Sequence, residues 1–194
     1  MSIEPIKSDL EGIGLLLKQH RLSVPPYQRP YTWESEQIND LYDDIIKAKV
    51  VSKTDQYFLG TVVLSRGDHD TQRVIDGQQR IVSISILISA IRNYFTSKGD
   101  EDRAGDITRD YLSKKDLRTQ HHNPRILIVP ADRDFFQKYV IEVQNIKNTT
   151  PRGLSQTQKR LYNCIKLARD FVQRIVEQSS NPSDDLLDIL YFLE

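Results

Sequence analysis

Two short stretches carry side chains whose types and spacing could do chemistry. In the first, Asp76-Gly77-Gln78-Gln79-Arg80, a carboxylate, two carboxamides and a guanidinium are wedged between apolar runs. If a strand ends at Asp76 and a helix opens after it, the first turn of that helix presents free N–H groups and a positive dipole end, which together attract anions. Arg80 adds a forked donor that matches phosphate. Gln78 and Gln79 can orient a water or bond a base, and Asp76 can hold a divalent cation or steer a nucleophilic water. The plainer reading makes Asp76 an N-cap on a solvated first turn. In the second stretch, "VPPYQRPYTW" (24–33), Tyr27, Tyr31 and Trp33 offer stacking surfaces, while Gln28 and Arg29 can read polar groups. Its plainer reading is a Pro/aromatic segment that clamps a helix to the core and leaves Arg29 exposed.

The elements around these stretches must position them. Three prolines keep the second stretch extended, across the surface or along a sheet edge. Ser8 and Glu11 have capping-box spacing and predict a short helix to about His20, weakened by Gly12 and Gly14. Thr32 is the expected N-cap of an amphipathic helix whose apolar positions are Ile38, Leu41, Tyr42, Ile45 and Ile46. "YFLGTVVLS" (57–65) and "QRVID" (72–76) read as a hairpin with a polar loop. "RIVSISILISAIRNYF" alternates Ile and Ser as a strand does, but about sixteen residues without Gly or Pro predict a helix. Its scattered serines imply close packing on several sides.

Residues 97–123 are charged and balanced, and a short helix with loops is expected there. "RILIV" (125–129) reads as a buried strand. After Pro130 a helix should present Phe135, Phe136, Tyr139, Val140 and Val143 on one face. A loop (144–154) leads to a long helix, 155–178, with an inner stripe of Leu161, Ile165, Ala168, Phe171, Val172, Ile175 and Val176. "SSNPS" breaks the chain, and "DDLLDILYFLE" starts a last helix whose apolar face looks unfinished.

Composition narrows the function classes. The chain has 194 residues, 38% hydrophobic and 28% charged, enough for one good core and a small second lobe. Twenty-seven basic residues balance twenty-seven acidic ones, so a nucleic-acid contact must come from a local patch. Such a patch is available on the long helix at Lys159, Arg160, Lys166 and Arg174, although a solvated face explains the same charges. The single cysteine, Cys164, rules out an internal disulfide and a Cys-based zinc site, and fits plain packing. His121-His122 lacks companion ligands and reads as a solvated loop. There is no signal peptide, membrane span, P-loop, Rossmann fingerprint or Gly-X-Ser-X-Gly. A soluble, cytoplasmic protein with no membrane partner is expected.

In order, "VPPYQRPYTW", "FLGTVVL" and "VIDGQQRIVSISILISAI" resemble the N-terminal domain of GmrSD-type restriction proteins, modification-dependent enzymes whose N-terminal domain is related to ParB and sulfiredoxin. The family pattern is Ile-Pro-x-Tyr-Gln-Arg-x-Tyr-x-Trp, a Gly-hydrophobic strand, then Asp-Gly-Gln-Gln-Arg opening a helix. "PRILIVPADRDFFQKYV" and "KRLYNCIKLARDF" look like its later segments, so the likeness covers roughly residues 10–176. Val24 in place of Ile is the one departure within the motifs.

The resemblance implies a mixed α/β (α+β) domain, ParB/sulfiredoxin-like, with a small mixed sheet flanked by helices and a helical C-terminal extension. Residues 1–130 would form the nucleotide-binding part. Residues 131–194 would form the extension, cut from a longer chain that carries a His-Asn-His nuclease. It further implies binding and hydrolysis of a nucleoside triphosphate with Mg²⁺, in the service of restricting modified or foreign DNA. Asp76, Gln78, Gln79 and Arg80 are then the candidate catalytic residues, with Asp76 also the metal ligand. Tyr27, Gln28, Arg29, Tyr31 and Gly77 would bind the nucleotide, and Lys159, Arg160 and Lys166 would touch DNA weakly. Two alternatives stay open: a sensor that binds nucleotide or DNA without hydrolysis, and a nuclease acting through this domain itself.

Overall fold

The computed structural model describes residues 8–51, 58–68, 71–116, 118–142 and 150–194. Its organising element is α3 (Gln78–Ser97), buried on almost every side. The Ile/Ser alternation is compatible with a helix because the serines bond their own backbone. Ser83 Oγ donates to Gln79 O, Ser85 Oγ to Ile81 O and Ser89 Oγ to Ile86 O, at 2.7–2.9 Å. Each polar group is thereby satisfied without water, and the small side chains admit close neighbours.

A four-stranded sheet lies against this helix in the order β2-β3-β1-β6, formed by β1 (Arg21–Ser23), β2 (Val63–Arg66), β3 (Thr71–Asp76) and β6 (Ile126–Leu127). β2 and β3 form the expected antiparallel hairpin, with Leu64 opposite Val74. β1 runs parallel to both β3 and β6, so Leu22 lies between Gln72 and Ile126 and is fully buried. A smaller antiparallel pair, β4 (Ser113–Lys115) and β5 (His122–Pro124), stands apart from it.

Helices complete the layers. They are α1 (Ile13–Gln19), α2 (Ser35–Val51), α4 (Glu101–Ile107), α5 (Arg133–Phe136), α6 (Gln156–Gln178) and α7 (Pro182–Phe192). α6 packs on α3 and α2, burying Leu161, Ile165, Ala168, Phe171 and Val172 as its periodicity predicts, while Ile175 and Val176 are half-buried. One hydrophobic core draws residues from both sides of position 130. Arg92 of α3 is 1% exposed, and its guanidinium donates to Val140 O and Ile141 O at 2.8 and 2.9 Å, where a π-helical turn (Gln137–Ile141) ends. Burial pulls its pKa down to about 10, while the charged donors satisfy carbonyls that no helix bond reaches.

Several expectations are corrected. Ser8 and Glu11 do not cap a helix: α1 begins at Ile13 after an extended Gly12. The two glycines matter for contact instead. Gly14 N donates to Leu193 O at 2.6 Å, and a side chain at Gly14 would collide with that carbonyl. Thr32 is not the cap of α2, which starts three residues later, because its N–H is drawn to Gln79. The first hairpin strand is shorter than 57–65, beginning at Val63; residue 57 lies outside the described residues. The strand at 125–129 is only two residues long, cut off where Pro130 opens a 3₁₀ turn (Pro130–Asp132). His122 belongs to β5, where its Nδ1 meets Ser113 Oγ at 3.2 Å, although it remains exposed. Val143 lies outside the described residues. The apolar face of α7 is covered: Leu186, Ile189 and Leu190 are buried.

Candidate functional site

β3 ends at Asp76, and the chain must turn at once into α3. Gly77 makes that turn with φ +87°, the left-handed region where a Cβ is disfavoured. A Cβ there would also stand 2.9 Å from Val62 Cγ2. Gly77, with no side-chain bond to the helix, occupies the N-cap position. Asp76 is therefore not the N-cap. Its carboxylate is exposed and has no partner among the described residues. Among the described residues no side chain caps the first-turn N–H groups of α3 beside it, so the helix end keeps its attraction for an anion.

The two motifs, almost fifty residues apart, are sewn together by their carboxamides. Gln78 Nε2 donates to Arg29 O at 2.7 Å and Gln79 Nε2 to Pro30 O at 3.2 Å. Gln79 Oε1 accepts from Thr32 N at 2.8 Å, and Gln28 Nε2 donates to Ile75 O at 2.9 Å. A proline-rich segment cannot build a full ladder of its own, so side-chain amides satisfy its backbone. Both polar ends of Gln79 are committed to this clamp. Arg80 reaches the other way, donating to Thr61 O at 3.1 Å. Gly60, at φ +99°, makes room for it: a Cβ there would lie 2.6 Å from the guanidinium. Among the described residues that is its one side-chain bond, which leaves several of its five donors for another acceptor.

The aromatic residues divide. Tyr27 is 76% exposed, whereas Tyr31 is 6% exposed and points inward, its hydroxyl 2.6 Å from Ser83 Oγ. Tyr42 donates to Ser83 O at 3.1 Å and lies 3.5 Å from Cys164 Sγ, which burial raises in pKa. Burial likewise holds the Tyr31 and Tyr42 phenols far above their ordinary pKa. Tyr31 thus anchors the segment and shows only part of its ring to a small cavity, leaving Tyr27 as the open stacking surface.

That cavity has a volume of about 20 Å³. Val24, Val82, Ile128 and Leu161 form its apolar wall, and Arg29, Tyr31, Gln78, Gln79 and Asp132 also line it. Gln78 Oε1 is buried without a hydrogen-bond partner among the described residues. Asp132, 3% exposed, has no partner for its carboxylate among the described residues, and burial raises its pKa. Sequence reasoning missed Asp132, because one Asp after a proline at a helix start looks like an ordinary N-terminal residue.

Lys159, Arg160 and Lys166 lie on α6, away from the two-motif clamp in sequence. Lys159 is exposed, Lys166 is half-buried, and Arg160 Nε is bound to Glu34 Oε1 at 2.6 Å. Arg174 pairs more loosely with Asp43, at 3.8 Å.

The ordered motifs, the turn at Gly77 and the glutamine clamp can be compared with known families. Residues 13–192 match the family model described as GmrSD restriction endonuclease, N-terminal domain. The chain belongs to that family. A search of the curated proteins found no match. Membership of the GmrSD N-terminal family places this domain in DNA restriction, and the match spans α1 to α7, nearly the whole chain. No helix among the described residues is long and apolar enough to cross a membrane.

Proposed function

We propose that this GmrSD-type domain binds a nucleoside triphosphate at the N-terminal end of α3 and hydrolyses it, so controlling restriction of modified or foreign DNA. The observation that carries this reading is a helix end with Gly77 at its N-cap, flanked by Arg80 and by an exposed Asp76 that has no partner among the described residues. Backbone N–H groups of the first turn would receive phosphate oxygens, with Gly77 letting the backbone approach closely. Arg80 and the exposed Arg29 would hold phosphate charge in charge-assisted bonds. Tyr27 would stack on the base.

The donor set suits a nucleotide-borne Mg²⁺, which commonly uses one or two carboxylates together with substrate phosphates. Asp76 would be the carboxylate that holds it, and the ion would neutralise phosphate charge. Among the described residues, no three His, Cys, Asp or Glu side chains gather as metal ligands, so nothing in the geometry favours the nuclease reading. The non-hydrolytic sensor has one observation in its favour: both ends of Gln79 already serve the clamp.

Phosphate release from ATP, GTP, CTP and UTP, each with Mg²⁺, separates these readings. Release with at least one nucleotide is expected. Binding without release supports the sensor, and neither binding nor release contradicts a nucleotide site.

A further inference from the structure

We infer that Gln28 is a positioning residue, which aims the Asp76 carboxylate by pinning the peptide bond in front of it. This inference rests on the hydrolytic reading above. Gln28 Nε2 donates to Ile75 O at 2.9 Å. That oxygen belongs to the planar peptide linking Ile75 to Asp76, so the bond fixes the plane from which the Asp76 side chain departs.

β3 is irregular at this point. Leu64 of β2 pairs with Val74, but Val63 pairs with Asp76, so Ile75 is the extra residue of a bulge. On the other side, the pairing of β3 with β1 ends at Arg73. Among the described residues Ile75 therefore has a register partner in neither neighbouring strand, and Gln28 supplies a bond in place of the ladder. The bulge also breaks the alternation of faces. Val74 is fully buried, and in a regular strand Asp76 would share its face and turn toward the core. Instead Ile75 and Asp76 are both exposed. A bulge re-aims side chains in this way, at the cost of ladder bonds that would hold the backbone. Gly77 follows at φ +87° and adds little stiffness of its own. The direction of the Asp76 carboxylate thus depends on what holds the Ile75 carbonyl.

Gln28 suits that task because its own backbone is braced. Its N–H bonds Pro25 O at 3.0 Å, and the next two carbonyls, Arg29 O and Pro30 O, accept from Gln78 and Gln79. The amide ties the end of β3 to the segment that α3 already grips. Asp76 and the first turn of α3 are then set by one frame. Outer partners that orient a metal-binding side chain commonly change affinity or activity by about 10–100-fold.

The test uses Gln28→Met, which keeps length and removes the donor, and Gln28→Ala, which removes both. Each is made alone and together with Asp76→Ala. Melting temperature and the kcat and KM of phosphate release are measured. So is the affinity for Mn²⁺, standing in for Mg²⁺, of the complex with a non-hydrolysable triphosphate, read by electron paramagnetic resonance without turnover. In the folded single variants, kcat and Mn²⁺ affinity should each fall by about tenfold or more, with KM within about twofold of wild type. Beside Asp76→Ala the Gln28 changes should cost less than about twofold further, because a residue that acts through Asp76 has nothing left to aim. Folded single variants with wild-type kcat and Mn²⁺ affinity overturn the inference and leave the hydrolytic reading intact. A raised KM with unchanged kcat overturns it too, by showing that Gln28 touches the nucleotide itself. So does a loss that persists in full beside Asp76→Ala. Failure of both single variants to fold would make the bond a structural one and overturns it as well. If wild type releases no phosphate from any nucleotide, the inference and the hydrolytic reading fall together.

Discussion

At the scale of single residues, position 77 shows how little freedom the site has. Replacing Gly77 with Ala adds a Cβ at φ +87° and drives it toward Val62. A loss of about 1–3 kcal/mol is expected, readable as a lower denaturation midpoint. Asp132 makes a prediction of a different kind. Burial raises its folded pKa above the unfolded value, so the native state binds more protons across that window. Stability is therefore fullest below the ordinary carboxylate pKa and falls as pH rises through the raised folded value. Asp132→Asn lacks this fall. Its melting temperature should gain on wild type as pH rises above the ordinary carboxylate pKa of about 4. A difference that stays constant as pH rises would show that the carboxylate is not penalised by burial.

At the scale of elements, the clamp makes the extended segment depend on α3. Gln79→Ala leaves Pro30 O and Thr32 N without their partners. Pro30 is exposed and Thr32 half-buried, so water replaces part of what is lost and a cost of about 0.5–1.5 kcal/mol per bond is expected. Amide exchange should speed up at residues 28–32 more than in α6. Uniform exchange changes across the protein would mean that Gln79 supports the core generally. The elements themselves were unevenly legible. α3 could be read through its Ile/Ser alternation because length and the lack of Gly or Pro outweighed the apparent strand period, and the serines find carbonyls within the helix. The hairpin was legible from its β-branched runs. The parallel placement of β1 beside β3 and β6 was not, since a three-residue strand carries no periodicity and its partners lie about fifty and a hundred residues away. The Thr32 cap was not legible because the Thr32 N–H bonds Gln79, about fifty residues away, and the Ser8/Glu11 spacing was misleading because α1 begins only after an extended Gly12.

At the scale of the whole molecule, charge is balanced and the site is local. Lys159, Arg160 and Lys166 should add only weak, salt-sensitive affinity for DNA, because phosphate contacts of that kind release counterions. Arg160 is partly occupied by Glu34, an exposed pair worth under about 1 kcal/mol. Reversing all three charges should leave nucleotide turnover unchanged, and a loss of turnover in the folded variant would mean the active site lies nearer α6. The convergence of the two motifs was foreseeable from their shared Gln-Arg chemistry, but the division of labour within them was not. Gln79 is spent on holding the chain, Tyr31 on the core, and Asp132 enters from a part of the sequence with no visible motif. The central claim is that the end of β3 and the start of α3 form a hydrolytic nucleotide site. It is tested most directly by Mg²⁺-dependent phosphate release from wild type and Asp76→Ala. Because Asp76 is exposed, without a partner among the described residues and not the helix cap, the variant should keep its stability within about 0.5 kcal/mol. The account predicts a loss of turnover on the order of hundredfold or more. A variant that melts like wild type and still releases phosphate at the wild-type rate would contradict it.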